Sequence, residues 1–569
     1  MRGDHQLHVQ PSDGTGLAEP ADPGWAGRLG AGIARGAVVV ASLTILSRIL
    51  GLARTLVFSQ TVGASCLGTA YVTANQVPDL LYQLILGGAL TSAMVPVLAR
   101  SAERAARDPA EQARVGQITS ALLTWTVVIV VPLVLAIVVA AGPIASLLNP
   151  SNPNARCVHA DVVGVTGDML RAFAPQALFY GLSVVLYGLL QSYRRFAAPS
   201  IGPGISSLVL ITCYLAFVPA DKGRPLAQLP LAAQLILSAG TTLGIAVLVV
   251  VALPPTRRLR LRFRPKLRFP PGVARRAGGL ALVGVVELVA IDVANVVAIT
   301  MANGHGETGA VVLFNYGSQV FNSIAAILAL SIVVSAFPVL SARDGPEFDR
   351  TSAGSTRAAV LMSWLGTAVI AAVAVPAAHV LARQPGQVPQ LVGSFLLFAP
   401  GIAGTAVIAN LSRVMFVIGR LKVAAAALAG SWLITIVADV VLVQLVPARL
   451  VVAALALGTT TGQTVAAVPL VIVTRRICGE AAVRGAGRAM LAGLAACAAG
   501  AAVGVAVSLA VPLHHKLVAF ALAVPAAGCA IAAFGAVAYL LDGGDLRAVL
   551  AWARRAARQA GGREAGMPR

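Results

Sequence analysis

The chain has 569 residues, 57% of them hydrophobic and 11% charged, with a mean hydropathy of +0.83. Soluble proteins carry roughly 25% charged residues, so lipid rather than water must be the solvent for most of this surface. The formal charge of +21 does not indicate nucleic-acid binding, because the basic residues fall in short clusters between apolar runs. Alternating strands of about ten residues, the mark of a membrane barrel, are absent.

Residues 1–35 are rich in Gly, Pro, Asp and His and are expected to form a disordered tail. Apolar runs follow at 36–60, 67–99, 117–141, 166–191, 200–219, 231–253, 278–301, 309–340, 358–381, 391–412, 423–446, 451–474, 489–511 and 517–541. Each is long enough to cross a ~30 Å hydrocarbon core as a helix. The first contains Arg48 and lacks a small-residue cleavage site, so it reads as a retained span. The fold class is therefore an all-α polytopic membrane protein with about fourteen transmembrane helices.

With the N-terminus inside, 34 of the 43 Lys and Arg residues fall on the inner side and 6 in outer loops. That alternation predicts a multi-pass protein of the inner membrane with both termini cytoplasmic. Nine basic residues between Arg257 and Arg276 mark a linker on the inner surface, attracted to anionic lipid. Span 2 ends Ser92-Ala93-Met94-Val95-Pro96-Val97-Leu98 and span 8 ends Ser335-Ala336-Phe337-Pro338-Val339-Leu340, with the prolines 242 residues apart. Six spans lie between equivalent points, which predicts two parallel six-helix lobes, a transporter architecture. The expected division is an N-lobe at 36–253, a basic linker at 254–277, a C-lobe at 278–474, two further helices at 475–541 and a basic C-tail at 542–569. Within that tail, Leu546 to Ala557 suits a basic amphipathic helix on the inner surface. The six cysteines, Cys66, Cys157, Cys213, Cys478, Cys497 and Cys529, form no CxxC pair and read as small hydrophobes rather than a disulfide or zinc framework.

Charge inside lipid carries the chemistry, since an ionised side chain at mid-bilayer costs roughly 2.5–3.5 kcal/mol on insertion scales and normally faces a bundle interior or wet cavity. Span 1 holds Arg48 and Arg54, which lie ~9 Å apart along a helix and ~120° apart around it. Two guanidinium groups converging on a cleft suit a pyrophosphate, whose oxygens they bind in a fork. The alternative is that Arg54 snorkels to the outer interface and Arg48 pairs with a neighbour. Span 2 carries Asn75, Gln76, Pro78 and Asp79; Pro78 frees carbonyls, and Asp79 is the expected counter-ion of Arg48. Glu287 and Asp292 in span 7, with Asn295 a turn on, Asp439 in span 11 and Thr459, Thr460 and Thr461 in span 12 suit a Na+ site or a proton relay. Protonated carboxyls hydrogen-bonded to neighbours are the alternative.

No GxxxxGK[ST] motif is present, so nothing indicates a P-loop ATPase, and Gly304 to Gly309 matches GxGxxG with no strand before it. No catalytic constellation, cofactor motif or resident metal site emerges. A membrane glycosyltransferase would need carboxylates in a large outer loop, but the outer loops are short and hold only Asp161, Asp221 and Glu307.

The run SRILGLARTLVFSQTVGAS from Ser47, then VPDLLYQLILGGALTSAMVPVLAR, resembles the MurJ/MviN family of lipid II flippases, part of the MOP superfamily that includes the MATE exporters. RAFAPQALFYGLSVVLYGLLQSYRRFAAP at 171–199 and FNYGSQVFNSIAAILALSIVVSAFPVLS at 314–341 extend the likeness over about 36–540, and the Ala- and Arg-rich composition suggests an actinobacterial branch. The resemblance implies two six-helix lobes in a V with two extra helices. It also implies export of undecaprenyl-pyrophosphate-linked peptidoglycan precursor by alternating access, a transporter rather than an enzyme. Arg48 and Arg54 match the family's cavity arginines. Departures are Tyr82 where family members carry an arginine, Gly87 where they carry an acid, and Ser318-Gln319 where they carry Asp-Arg. Substrate-binding candidates are thus Arg48, Arg54, Asn75, Gln76, Asp79, Tyr82 and Gln319. The family's cation site would fall on Asp292, Asp439 and Thr459, with Thr435 in place of the usual asparagine. Coupling is left open between the membrane potential, Na+ and H+. Implied partners are lipid II or another polyprenyl-pyrophosphate glycan, membrane lipids and other cell-wall synthesis proteins. Competing functions are export of another such glycan, MATE-like drug/cation antiport and a non-transporting scaffold for wall synthesis.

Overall fold

A computed structural model describes residues 23–83, 108–221, 224–259, 261, 263–267, 273–512 and 515–561, and among them every long regular element is a helix. The first half contains α1 (Pro23–Thr61), α2 (Cys66–Tyr82), α3 (Pro109–Val139), α4 (Ala141–Leu148), α5 (His159–Phe173), α6 (Gln176–Ser192), α7 (Ala197–Asp221) and α8 (Leu231–Arg257). The second contains α9 (Val273–His305), α10 (Ala310–Ile324), α11 (Ser331–Ser341), α12 (Gly345–Leu381), α13 (Val388–Phe398), α14 (Gly401–Val417), α15 (Leu421–Leu445) and α16 (Val451–Cys478). Two last helices follow, α17 (Ala486–Leu509) and α18 (Lys516–Gly561).

Thirteen described stretches are long and apolar enough to cross a membrane. The remaining expected span, 67–99, is described only as far as Gln83, and the motif around Pro96, Gly87 and residues 100–107 lie outside the described residues. Val139 (84% exposed), Leu540 (80%) and Leu231 (69%) stand on the outer surface of the bundle. Only lipid accommodates so many large apolar side chains there.

Local chemistry sets the helix starts. Asp108 Oδ1 accepts from the Ala110 amide at 2.8 Å with Pro109 opening α3, and Ser65 Oγ accepts from Gly68 N at the head of α2. Helix α1 begins at Pro23, so residues 23–35 of the expected disordered tail are helical. Helix α2 runs through Pro78 rather than breaking there, although the proline leaves the Ala74 carbonyl without its helical donor. Span 8 is interrupted instead by a π segment, Ala325–Leu330, between α10 and α11.

A repeat is visible in spans 4 and 10. Both break at Phe-Ala-Pro, Phe173-Ala174-Pro175 and Phe398-Ala399-Pro400, 225 residues apart. Both end in the same cap: Arg195 N donates to Leu190 O and Arg420 N to Met415 O, each at 2.8 Å and again 225 residues apart. The left-handed cap residue is Gly419 (φ 76°) in one copy and Arg194 (φ 56°) in the other. This correspondence without insertions indicates a parallel six-span repeat independently of Pro96 and Pro338.

Helices α17 and α18 dock on α12, where Ser508 Oγ donates to Ala372 O at 2.6 Å. Helix α18 bends at Asp542 (φ −147°, ψ 53°), whose carboxylate lies 3.4 Å from Arg488, and the backbone stays helical to Gly561.

The cysteine reading needs correction. Cys66 and Cys157 form a disulfide. Expected to be small buried hydrophobes, these two lie outside the long apolar runs, at the head of α2 and just before α5, where the fold brings them together. Cys213, Cys478, Cys497 and Cys529 are free thiols.

Candidate functional site

The two halves meet at one end of the bundle. Every described hydrogen bond between them joins residues 55–73 or 148–157 to residues 303–319, 380–387 or 516. Asn303 Nδ2 donates to Thr73 Oγ1 (3.0 Å), Leu148 O (2.9 Å) and Asn149 Oδ1 (3.2 Å), while Asn152 Nδ2 donates to Asn303 O (2.7 Å) and Gly306 O (2.8 Å). Across the end of α1, Arg383 Nη1 donates to Thr61 O (2.7 Å) and Val62 O (3.1 Å), and Gln387 Nε2 to Ala64 O (2.9 Å). In the opposite sense, Gln60 Nε2 donates to Val380 O at 2.9 Å near the end of α12. Lys516 Nζ joins Gln60 to Ala382 O. Each helix C-terminus leaves carbonyls without helical donors, and here each half supplies donors for the other's. Gly309 (φ 84°) packs so closely on Ala64 that a Cβ there would lie 2.6 Å from its carbonyl carbon.

Beneath this clasp is an aromatic plug that the sequence reading missed. Phe58 of α1 stacks within 5.1 Å of Tyr71 and 5.3 Å of Tyr214, and Tyr71 meets Phe173 edge-on at 5.4 Å. The second half contributes Tyr316, 6.5 Å from Phe58. The Tyr71 hydroxyl bonds Tyr214 Oη and Thr241 Oγ1, both at 2.8 Å, so these two polar tips are satisfied inside the cluster, while the Tyr316 hydroxyl is buried without a hydrogen-bond partner among the described residues. All five rings are buried.

The innermost described bond between the halves is Thr55 Oγ1 to Gln319 Oε1 at 3.2 Å, with Gln319 Nε2 donating to Asn315 Oδ1 at 2.7 Å. Arg54 comes next, half-buried, and Arg48 lies ~9 Å further along α1 in an exposed position. The Ser47 face of α1 is packed on α7, where a Cβ at Gly204 would lie 3.1 Å from Ser47 Cα. Arg48 is on a different face, with exposed Ile45, Ile49 and Leu52, and a Cβ at Gly51 would meet nothing within 4 Å. The structure therefore places Arg54 just beneath the plug, whereas Arg48 is exposed among apolar side chains of α1.

Asp79 is not placed as expected. Its electrostatic partner is Arg54 rather than Arg48, and Gln83 donates a hydrogen bond to it. Asn75 Oδ1 is buried without a hydrogen-bond partner among the described residues, and Gln76 is half-buried. Tyr82 stacks on Tyr180 of α6, centroids 4.7 Å apart. Where family members carry an arginine, this chain thus has a ring pair, and Gln319 provides an uncharged bridge.

The cation candidates divide into two places. Asp439 is 1% exposed and packs so tightly on α16 that a Cβ at Gly458 would overlap its Oδ1; Gly462 meets Thr435 Oγ1 in the same way. Thr459 is buried beside Gly458, but its hydroxyl donates to Leu455 O at 3.2 Å in its own helix. Asp292 is 9% exposed, has no hydrogen-bond partner on either carboxylate oxygen among the described residues, and has Asp79 of the other half within electrostatic range. Glu287 has Arg413 as its electrostatic partner. Among the described residues no group of three His, Cys, Asp or Glu side chains is placed to hold a metal ion.

Two helical halves clasped at one end, with fixed charge where they separate inside an apolar bundle, define a polytopic transporter. The family model for "Lipid II flippase MurJ" matches residues 58–533, and the chain belongs to that family. It is similar to the probable lipid II flippase MurJ of Synechocystis sp., 27% identical over 378 residues, covering 62% of this chain and 65% of that one. It is also similar to the lipid II flippase MurJ of Burkholderia cenocepacia, 27% identical over 322 residues, covering 54% and 57%. The alignments thus span somewhat less than two thirds of these curated relatives. A solved lipid II flippase MurJ in an inward closed conformation superposes with a TM-score of 0.66 at 15% identity, covering 88% of this chain and 99% of that one. An inward-facing MATE transporter of the MOP superfamily superposes at 0.59 and 14% identity, covering 78% and 98%. The structural likenesses give the fold, and family membership makes the chain a multi-pass membrane protein.

Proposed function

We propose that the chain moves lipid II, the undecaprenyl-pyrophosphate-linked peptidoglycan precursor, from the inner to the outer leaflet by alternating access. The observation that carries this reading is Arg54, a half-buried cation beneath a sealed end of the bundle, where the halves separate. A guanidinium held there recognises a pyrophosphate by charge-assisted, forked hydrogen bonds, and Arg48 extends the cationic path along α1. Asn75, Gln76, Asp79, Tyr82 and Gln319 complete the wall, and the Tyr82–Tyr180 pair and Gln319 offer rings and amides to the uncharged parts of the headgroup. Transport then requires the plug and clasp to open while the other end closes.

The clasped end is the extracytoplasmic one and both termini are cytoplasmic. The basic-residue alternation supports this, and so does the disulfide, because the Cys66–Cys157 bond sits at the clasped end and disulfides persist on the oxidising side of a membrane. The driving force is the membrane potential or a Na+ or H+ gradient, with Asp292, Asp439 and Thr459 as the residues to test. Other wall-synthesis proteins receive the exported precursor. The test is rescue of a strain depleted of its own flippase. Arg54→Ala is expected to abolish rescue at normal membrane levels, and full rescue by Arg54→Ala together with Arg48→Ala would refute the reading.

A further inference from the structure

Between α8 and α9 the sequence alternates strictly: Arg258, Arg260, Arg262, Arg264, Lys266 and Arg268 are separated by Leu259, Leu261, Phe263, Pro265 and Leu267. A period of two belongs to extended chain, not helix, and the described part of this segment is extended along the first turns of α3. Gln112 Nε2 donates to Leu259 O (3.2 Å), Arg264 N to Ser120 Oγ (3.1 Å), Lys266 N to Thr124 Oγ1 (3.2 Å) and Trp125 Nε1 to Leu267 O (2.9 Å). Polar side chains of a helix thus satisfy a strap that has no sheet to join. Because successive side chains of an extended chain point to opposite sides, the strap has one apolar and one basic edge. Leu259 is 8% exposed and packs with Ile118 and Leu186, whereas Phe263 (41%) and Leu267 (57%) continue the apolar edge onto the surface. Arg264 and Lys266 are exposed on the other edge, two residues and so ~6.6 Å apart, and Arg258 is exposed at the helix end that precedes the strap. Trp125, 37% exposed, anchors the strap's far end as an indole does at the hydrocarbon–headgroup boundary.

We infer that this strap is a binding edge for anionic phospholipid, its apolar side seated on acyl chains and its basic side on phosphates, at the end of the bundle opposite the clasp. The occupant follows from charge complementarity and amphipathic depth together: a soluble polyanion would leave Phe263 and Leu267 in water, and a zwitterionic lipid would leave the cations unneutralised. Arg264 and Lys266, whose backbone amides are anchored on α3, hold a fixed pair of charges instead of a diffuse cloud.

The test uses the full-length protein in phosphatidylcholine micelles, with retention of added phosphatidylglycerol read by native mass spectrometry. Each basic residue at an anionic surface is worth about five-fold in association, so Arg264→Gln with Lys266→Gln should lower phosphatidylglycerol association about twenty-fold at low salt. The difference should shrink as salt rises. Arg420→Gln with Lys422→Gln, the same charge change at exposed positions off the strap, should leave association near wild type. Ser120→Ala with Thr124→Val keeps every charge but removes both hydroxyl anchors, and should also weaken it. Equal loss in the two Gln pairs would overturn the inference in favour of net charge alone. No loss in the strap variants, with an unchanged unfolding midpoint, would overturn it outright.

Discussion

Arg383→Ala should open the clasped end. Its guanidinium donates to Thr61 O and Val62 O, the last carbonyls of α1, at 2.7 and 3.1 Å, and it reaches them from the opposite half. Hydrogen bonds from charged donors contribute about 1.5–3 kcal/mol when desolvated. Arg383 is exposed, so water and salt reduce the pair to about 1–2 kcal/mol in total. Those bonds exist only while the halves touch, so their whole value acts on the closed-to-open equilibrium, lowering it about 5–30-fold. Spin labels on residues 154 and 384, one in each half at this end, report that ratio directly by double electron–electron resonance. The short-distance population should fall in Arg383→Ala and recover partly in Arg383→Lys, which keeps one donor to the same carbonyls. An unchanged distribution in a variant of normal thermal stability would refute the view that these bonds latch the outer end.

Further outcomes follow from the same geometry. Thr55→Val, which removes the innermost bond between the halves at Gln319, should shift the same distribution in the same direction, by about 0.5–1.5 kcal/mol. Cys66→Ser with Cys157→Ser, or reduction of the native protein, should lower stability by about 2–4 kcal/mol, since the bond closes a loop of sequence separation 91; thermal unfolding with and without reductant measures it. Gly458→Ala should destabilise by about 1–3 kcal/mol through overpacking because its Cβ would overlap Asp439 Oδ1, whereas Gly430→Ala, with nothing within 4 Å, should not. Arg54→Lys should keep part of the rescue that Arg54→Ala loses, because an ammonium holds the charge but not the fork.

The helical membrane fold was legible because hydropathy over a span-length window is a strong, local signal. The repeat expected from Pro96 and Pro338 rests on a motif whose first copy lies outside the described residues; the correspondence of Phe173-Ala174-Pro175 with Phe398-Ala399-Pro400 needed the shared helix breaks before so short a match meant anything. Arg48 and Arg54 stood out since charge in an apolar run is rare. Their partners did not, since counting turns along α1 and α2 sets Asp79 opposite Arg48, whereas the folded chain brings its carboxylate into the field of Arg54. The Cys66–Cys157 bond and the clasp were hidden for a related reason. They join segments far apart in the chain, and Asn303 near the end of α9, like Arg383 and Gln387 after α12, looks ordinary until the halves close. The plug was hidden because Phe58, Tyr71 and Tyr214 sit in apolar runs where an aromatic reads as core.

The most direct measurement is outer-face exposure of labelled lipid II in cells whose only flippase is this chain. The account predicts rapid exposure with the wild-type chain and loss to the flippase-depleted background with Arg54→Ala at equal membrane abundance. Exposure at the wild-type rate in Arg54→Ala would contradict the claim that a cation beneath the plug grips the pyrophosphate during transport.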